Sequence, residues 1–232
     1  MLGEVYPIYE EMAAQTHLLV AGSTGSGKSV VINGIIYNLL YNSPQATQFI
    51  LLDPKRVELI DYKSLPHVIR YASEPEEMVE ALNIAMRICE ERYTDMQARR
   101  IKMYDGAHIY VVIDEFADLM TTNRKKVLPL VQRLTQVGRA ARIHVIIATQ
   151  TPIAKILPTE IKCNVDSRIA LRTRSAQDSR NILEETGCEL LPRYGKAFFR
   201  TAEGTRKIDV PMYTEDDLRE IVEYWQNLVR AA

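Results

Sequence analysis

The chain has 232 residues, 47% of them apolar, enough to bury one large core, and its formal charge of −1 excludes any argument for nucleic acid from net charge alone. It shows no signal peptide and no apolar run of about 18 residues, which predicts a soluble, cytoplasmic protein. Cys89, Cys163 and Cys188 lie far apart without a C-x-x-C pattern, so buried thiols in a reducing compartment are expected rather than disulfides or zinc. His17, His67, His108 and His144 show no ligand spacing either, and they read as residues flanking strands.

In chain order, His17 to Ala21 is a short apolar run that predicts a buried strand, and Val30 to Leu40 carries apolar residues at helical spacing. Phe49 to Asp53 is a second strand, ended by Pro54. Glu74 to Tyr104 predicts one long helix, Ile109 to Ile113 a third strand, Val127 to Ala141 an amphipathic helix, and Ile143 to Ala148 a fourth strand. Ser167 to Arg172 is a fifth candidate. Lys196 to Arg200 and Lys207 to Pro211, separated by Glu203-Gly204, predict a hairpin, and Asp216 to Val229 a closing helix. Buried strands alternating with helices indicate an α/β fold, a mostly parallel sheet covered on both faces, with residues 1–232 forming one domain.

Between the first strand and the first helix stands Gly22-Ser23-Thr24-Gly25-Ser26-Gly27-Lys28-Ser29, a full match to the phosphate-binding pattern G-x-x-x-x-G-K-[ST]. The glycines let the backbone curl so that successive N–H groups face a phosphate. Lys28 is then placed to reach the β- and γ-phosphates of ATP, and the Ser29 hydroxyl to coordinate Mg²⁺. A second signature is Val111-Val112-Ile113-Asp114-Glu115. An Asp at the end of a buried strand orders Mg²⁺ in such enzymes, and an adjacent Glu can polarise the attacking water. The 86 residues from Lys28 to Asp114 leave room for one intervening strand and its helices, which favours a hydrolytic motor over a kinase or small GTPase. In Ile146-Ile147-Ala148-Thr149-Gln150, the side chain of Gln150 at a strand's carboxyl end is expected to sense the γ-phosphate.

His17 to Gly22 with the loop that follows, Asp53-Pro54-Lys55-Arg56-Val57-Glu58-Leu59, and Asp114 to Met120 resemble the FtsK/SpoIIIE motor family. So do Arg139 to Gln150, Ser167-Arg168-Ile169-Ala170 and Asp178-Ser179-Arg180, a likeness running from about Thr16 to Phe199. The resemblance implies a RecA-like ATPase that forms a hexameric ring and pumps double-stranded DNA through its centre. It also implies ATP sites between subunits, each reached by an arginine of the neighbour, for which Arg139, Arg168 and Arg180 are the candidates. Family members typically add membrane helices, a further motor subdomain and a winged-helix DNA reader, so this chain reads as a RecA-like core, either excised from a longer protein or itself a short mobile-element relative. Many also have a basic residue directly after the glutamine, where this chain has Thr151 and then Pro152.

Arg124-Lys125-Lys126 follows the Asp114-Glu115 strand where a pore-facing loop is expected, and Arg99-Arg100 with Lys102 forms a second basic cluster. Lys155 and Lys162 are further candidates. A few such residues per subunit suffice around a ring, because translocation tracks the phosphate backbone. The same motifs are compatible with a ring ATPase of type VII protein secretion or with a nucleotide-binding module lacking motor activity, although intact Lys28, Asp114 and Glu115 weigh against the latter.

Overall fold

The computed structural model describes residue 12 and residues 14–231. Its elements are β1 (Leu18–Ala21), α1 (Lys28–Leu39), β2 (Thr47–Leu52), β3 (Val68–Ala72), α2 (Pro75–Arg99), β4 (His108–Ile113), α3 (Phe116–Thr122) and α4 (Arg124–Val137). They continue with β5 (Ile143–Thr149), α5 (Thr159–Lys162), β6 (Ser167–Ala170), α6 (Ala176–Leu183), β7 (Lys196–Thr201), β8 (Gly204–Asp209) and α7 (Glu215–Ala231). The strands form one eight-stranded sheet in the order β3-β2-β4-β5-β1-β6-β7-β8. The first six are parallel to their neighbours, and the β7-β8 hairpin adds antiparallel to β6.

Alternation along each strand divides the core in two. Leu18, Val20, Phe49, Leu51, Tyr110, Val112, Ile146 and Ala148 face α1 and α7, whose Ile32, Ile36, Val222 and Trp225 pack onto them. Leu19, Ile50, Val111, Ile113, Val145 and Ile147 face the other way, against Leu82 and Ala85 of α2, Leu119 of α3, Val131 of α4 and Ile182 of α6. Burial on both sides is why these strands read as continuous apolar runs. α7 is anchored by Trp225, whose indole N–H donates to the Leu40 carbonyl at 2.8 Å.

Several expectations are corrected. Two strands, not one, separate Lys28 from Asp114, because β3 pairs with the outer side of β2. As an edge strand β3 is only partly covered and carries Arg70 in mid-strand, so it lacks an apolar run. The long helix ends at Arg99, where Arg100 adopts φ 56°; its start is set by Pro75 and by reciprocal capping between Glu74 and Glu77. Arg124-Lys125-Lys126 does not form a loop: the three residues are the first turn of α4, and the separate helix α3 precedes them. α6 was not foreseen, although Ser175 caps it by accepting from the Asp178 N–H. Cys89 and Cys188 are buried as expected, whereas Cys163 is exposed in the turn after α5. Among the described residues no helix is long and apolar enough to cross a membrane.

Candidate functional site

Parallel strands bring their carboxyl ends to one edge, and the order of this sheet decides what meets there. β5 lies between β1 and β4. The phosphate loop after β1, Asp114-Glu115 after β4 and Gln150 after β5 therefore fall side by side, with the segment after β2 next to β4 and the segment after β6 next to β1.

The loop's backbone is built by its glycines and tied down on two sides. Gly25 and Gly27 have φ of 71° and 97°, a region costly for other residues, and Gly22 is so closely packed that a Cβ there would lie 2.5 Å from Ser26 Oγ. The Gly22 N–H donates to the Thr149 carbonyl at 3.3 Å, and Ser23 donates to the Arg172 carbonyl from both its N–H, at 2.8 Å, and its hydroxyl, at 3.0 Å. Lys28 opens α1, and Ser29 beside it is half-buried in the helix's first turn.

Beneath the loop the Lys28 side chain, 4% exposed, donates from Nζ to Asp114 Oδ1 at 2.7 Å and to the Asp114 carbonyl at 2.6 Å. Asp114 is 1% exposed, and its other oxygen, Oδ2, has no partner among the described residues; nor has the buried Ser26 Oγ. A buried carboxylate oxygen left unmatched beside a glycine cradle suits a cation shared with a phosphate. No group of three or more His, Cys, Asp or Glu among the described residues is arranged to hold a metal alone. That donor set fits Mg²⁺, which is typically held by one or two protein oxygens together with substrate phosphates.

Glu115 is buried and held from several sides. Its Oε1 accepts from the Thr149 hydroxyl at 2.8 Å, the Gln150 N–H is shared between Oε1 at 3.1 Å and Oε2 at 3.2 Å, and Oε2 also lies 3.5 Å from Lys55 Nζ. The Gln150 side chain turns the other way, where the Thr24 hydroxyl donates to its Oε1 at 2.9 Å. Thr24, Gln150 and Glu115 thus form a hydrogen-bonded chain from the apex of the phosphate loop to the carboxylate. Three contributors escaped sequence reading. Thr149 and Lys55 stood in quoted motifs without a role, and Arg193 had no signal: its Nη2 lies 3.0 Å from the position a Cβ on Gly25 would take.

The remaining candidates separate. Arg168 is buried and committed, donating to the Val165, Ile182 and Lys162 carbonyls and pairing with Glu184, so its guanidinium is a structural tie. Arg139 and Arg180 are exposed, on the α4–β5 turn and on α6. Arg99 and its neighbours lie at the opposite end of the sheet, with Arg99 paired to Asp95 and Asp105. Arg124 donates to the Lys155 carbonyl, which joins the start of α4 to the segment after β5, and Lys126 pairs with Glu76 at 3.0 Å. Lys162 is half-buried and donates to the Asn181 carbonyl at 3.4 Å.

A parallel sheet with a glycine cradle after β1, a lysine-aspartate pair beneath it and a strand inserted between the two signature strands defines a RecA-like P-loop NTPase fold. The pattern that defines the FtsK/SpoIIIE family matches residues 3–108 and 105–154, more than half of the chain, and the chain belongs to that family. It is 39% identical over 240 residues to a DNA translocase FtsK of Chlorobaculum tepidum, covering 94% of this chain and 30% of that protein. It is 34% identical over 235 residues to a DNA translocase FtsK of Helicobacter pylori, covering 94% of this chain and 27% of that protein. The chain therefore spans under a third of the length of these relatives. Among solved structures, the pCW3 conjugation coupling protein TcpA superposes with a TM-score of 0.82 at 25% identity, covering 94% of this chain and 67% of that one. The cytoplasmic domain of the Thermomonospora curvata type VII secretion ATPase EccC superposes with a TM-score of 0.76 at 23% identity, covering 90% and 28%.

Proposed function

We propose that this chain is the ATP-hydrolysing core of a motor that moves double-stranded DNA, working as a hexameric ring. One observation carries the ATPase reading: the Lys28–Asp114 pair and the multiply held Glu115 lie side by side under a glycine-built phosphate loop. Residues Gly22 to Ser29 cradle the triphosphate through their N–H groups, and Lys28 shifts from Asp114 to the β- and γ-phosphates. Ser29 and Asp114 hold Mg²⁺, which when bound screens charge on the phosphate oxygens. Glu115 takes the proton of the attacking water, and the Thr149 and Gln150 contacts hold its carboxylate toward that task. Gln150 responds to the occupied loop through Thr24, and the Arg124–Lys155 contact links the segment after Gln150 to the basic start of α4.

DNA as substrate is supported by the names of the curated relatives and by the first turn of α4. Arg124, Lys125 and Lys126 crowd the positive end of a helix dipole without an acidic residue in that turn, an arrangement that helix stability alone disfavours. Lys125 is exposed, and no partner is found for it among the described residues. A non-sequence-specific grip on phosphates gives such charges a use. A ring supplies the completing arginine from a neighbour, and Arg139 and Arg180 are the accessible candidates. The test is ATP hydrolysis with and without duplex DNA over a range of protein concentrations. Duplex stimulation, with a rate per chain that rises as rings form, is expected; an unstimulated rate independent of concentration would refute both the DNA and the ring readings.

A further inference from the structure

The segment Asp53 to Leu59 takes no part in the phosphate cradle or the Mg²⁺ oxygens, yet it is built with care. Asp53 is fully buried at the carboxyl end of β2, and its Oδ2 accepts from the Leu59 N–H at 3.0 Å and the Tyr71 hydroxyl at 3.3 Å. Its own N–H donates to the Ala72 carbonyl at 2.9 Å, and its carbonyl accepts from the Arg56 N–H at 3.2 Å. Burial, and then the charge of Asp53, push the Tyr71 phenol up to about 12, so it remains a donor to that carboxylate at every physiological pH. Arg56 takes the left-handed conformation, φ 57°, and its guanidinium pairs with Glu74 at the start of α2. The loop is thus fastened at its base, at its turn and at its end. What these ties present to the rest of the molecule is the Lys55 ammonium, 3.5 Å from Glu115 Oε2.

We infer that Lys55 is a positioning residue for hydrolysis: its ammonium adds a charged contact at Oε2 of Glu115 to the Thr149 hydroxyl at Oε1 and the Gln150 N–H shared by both oxygens, so that the carboxylate meets the attacking water in one orientation. This rests on the reading of Glu115 as the group that activates water. Thr149 and Gln150 hold the carboxylate from the β5 side alone, so loss of Lys55 removes the contact from the β2 side, and a small misorientation of a general base costs turnover without touching substrate affinity. Lys55 itself is 41% exposed, so its removal opens no cavity in the core, and the buried Glu115, which loses its cation, keeps the Thr149 hydroxyl and the Gln150 N–H as donors, so the fold is expected to persist.

The experiment compares the wild type, Lys55→Ala, Lys55→Arg, Glu115→Gln and the double variant Lys55→Ala/Glu115→Gln, each checked for cooperative unfolding well above the assay temperature. Steady-state hydrolysis gives kcat, and binding of a slowly hydrolysed ATP analogue gives Kd. Lys55→Ala is expected to lower kcat roughly tenfold with Kd within about twofold, Lys55→Arg to regain most of the rate, and the double variant to turn over no more slowly than Glu115→Gln. Wild-type turnover by Lys55→Ala beside an inactive Glu115→Gln would overturn the role of Lys55 alone. A tenfold rise in Kd would overturn it too, by making Lys55 a phosphate ligand. Wild-type turnover by Glu115→Gln would instead remove the reading on which the inference rests.

Discussion

The two ends of the same parallel strands bury polar groups in opposite ways. At the carboxyl ends, Lys28 and Asp114 form a buried ion pair and Glu115 lies beside Lys55, with the second Asp114 oxygen left without a partner among the described residues. At the amino ends, His108, Tyr110 and His144 stack across β4 and β5, and rings of His108 and His144 meet Nδ1 to Nε2 at 2.8 Å. His144 Nδ1 reaches the Thr16 carbonyl at 2.8 Å, and His17 Nδ1 accepts from the Val145 N–H at 3.0 Å. Burial first, then the neighbouring His144, lowers His17 to about 3; burial foremost lowers His144 to about 4. One end pairs opposite charges and keeps a carboxylate oxygen in reserve. At the other the histidine rings stay neutral and mostly join strands, His17 Nε2 alone of these having no partner among the described residues, and the buried Arg92 donates to the Ala141 carbonyl. Burial of a polar group therefore does not by itself mark a working site. The unmatched oxygen and the paired opposite charges distinguish the end suited to a charged ligand from the end that only holds the sheet together.

The sharpest way to break this contrast is Lys28→Ala. Nucleotide binding should vanish in a titration with a fluorescent ATP analogue, and the buried Asp114 carboxylate left behind should lower stability by about 3 kcal/mol in urea unfolding. An unaltered unfolding midpoint would mean that Asp114 is solvated well enough not to need its partner. Glu115→Gln should keep ATP affinity and lose turnover by about 10²–10⁴-fold, read from single-turnover hydrolysis. Turnover within a factor of three of wild type would strike Glu115 from the site.

At the neutral end the expected signature is acid sensitivity. A histidine whose folded-state pKa lies below its unfolded value of about 6.5 leaves stability intact above that pH. Stability then falls as the pH drops toward the folded-state pKa, because the unfolded chain takes up the proton first. By pH 5, His17 and His144 should each cost on the order of 2 kcal/mol, and His144→Gln should flatten the decline between pH 6.5 and 5. A pH-independent unfolding free energy across that window would contradict their burial as neutral rings. The smallest effect concerns DNA. Replacing Arg124, Lys125 and Lys126 with alanine should weaken duplex binding alike for unrelated sequences and reduce the salt dependence by about one in slope per lost phosphate contact. Basal hydrolysis should persist; an unchanged affinity and slope in filter binding would reduce the three cations to a solvated helix turn.

What the amino-acid sequence determined by itself is whatever is local or strongly periodic. The buried strands announced themselves because burial on both faces demands unbroken apolar runs, and the phosphate loop because its φ angles and close packing admit only glycine at set positions. Asp114, Glu115 and Gln150 could be named because they stand directly after such runs. Only the tertiary structure decided which of these ends are neighbours. The order that inserts β5 between β4 and β1 is set by sheet pairing across more than a hundred residues, so the Thr24–Gln150–Glu115 chain has no sequence signature. The same holds for β3, whose place at the sheet edge relieves it of an apolar pattern, and for Lys55 and Arg193, whose meaning lies in what they touch. Arg168 shows the converse: its motif singled it out, but burial against three carbonyls and Glu184 gives it a structural task. Local rules act through the backbone conformations a residue can adopt. Contact partners are set by long-range packing, which a single chain of letters does not encode in any short window.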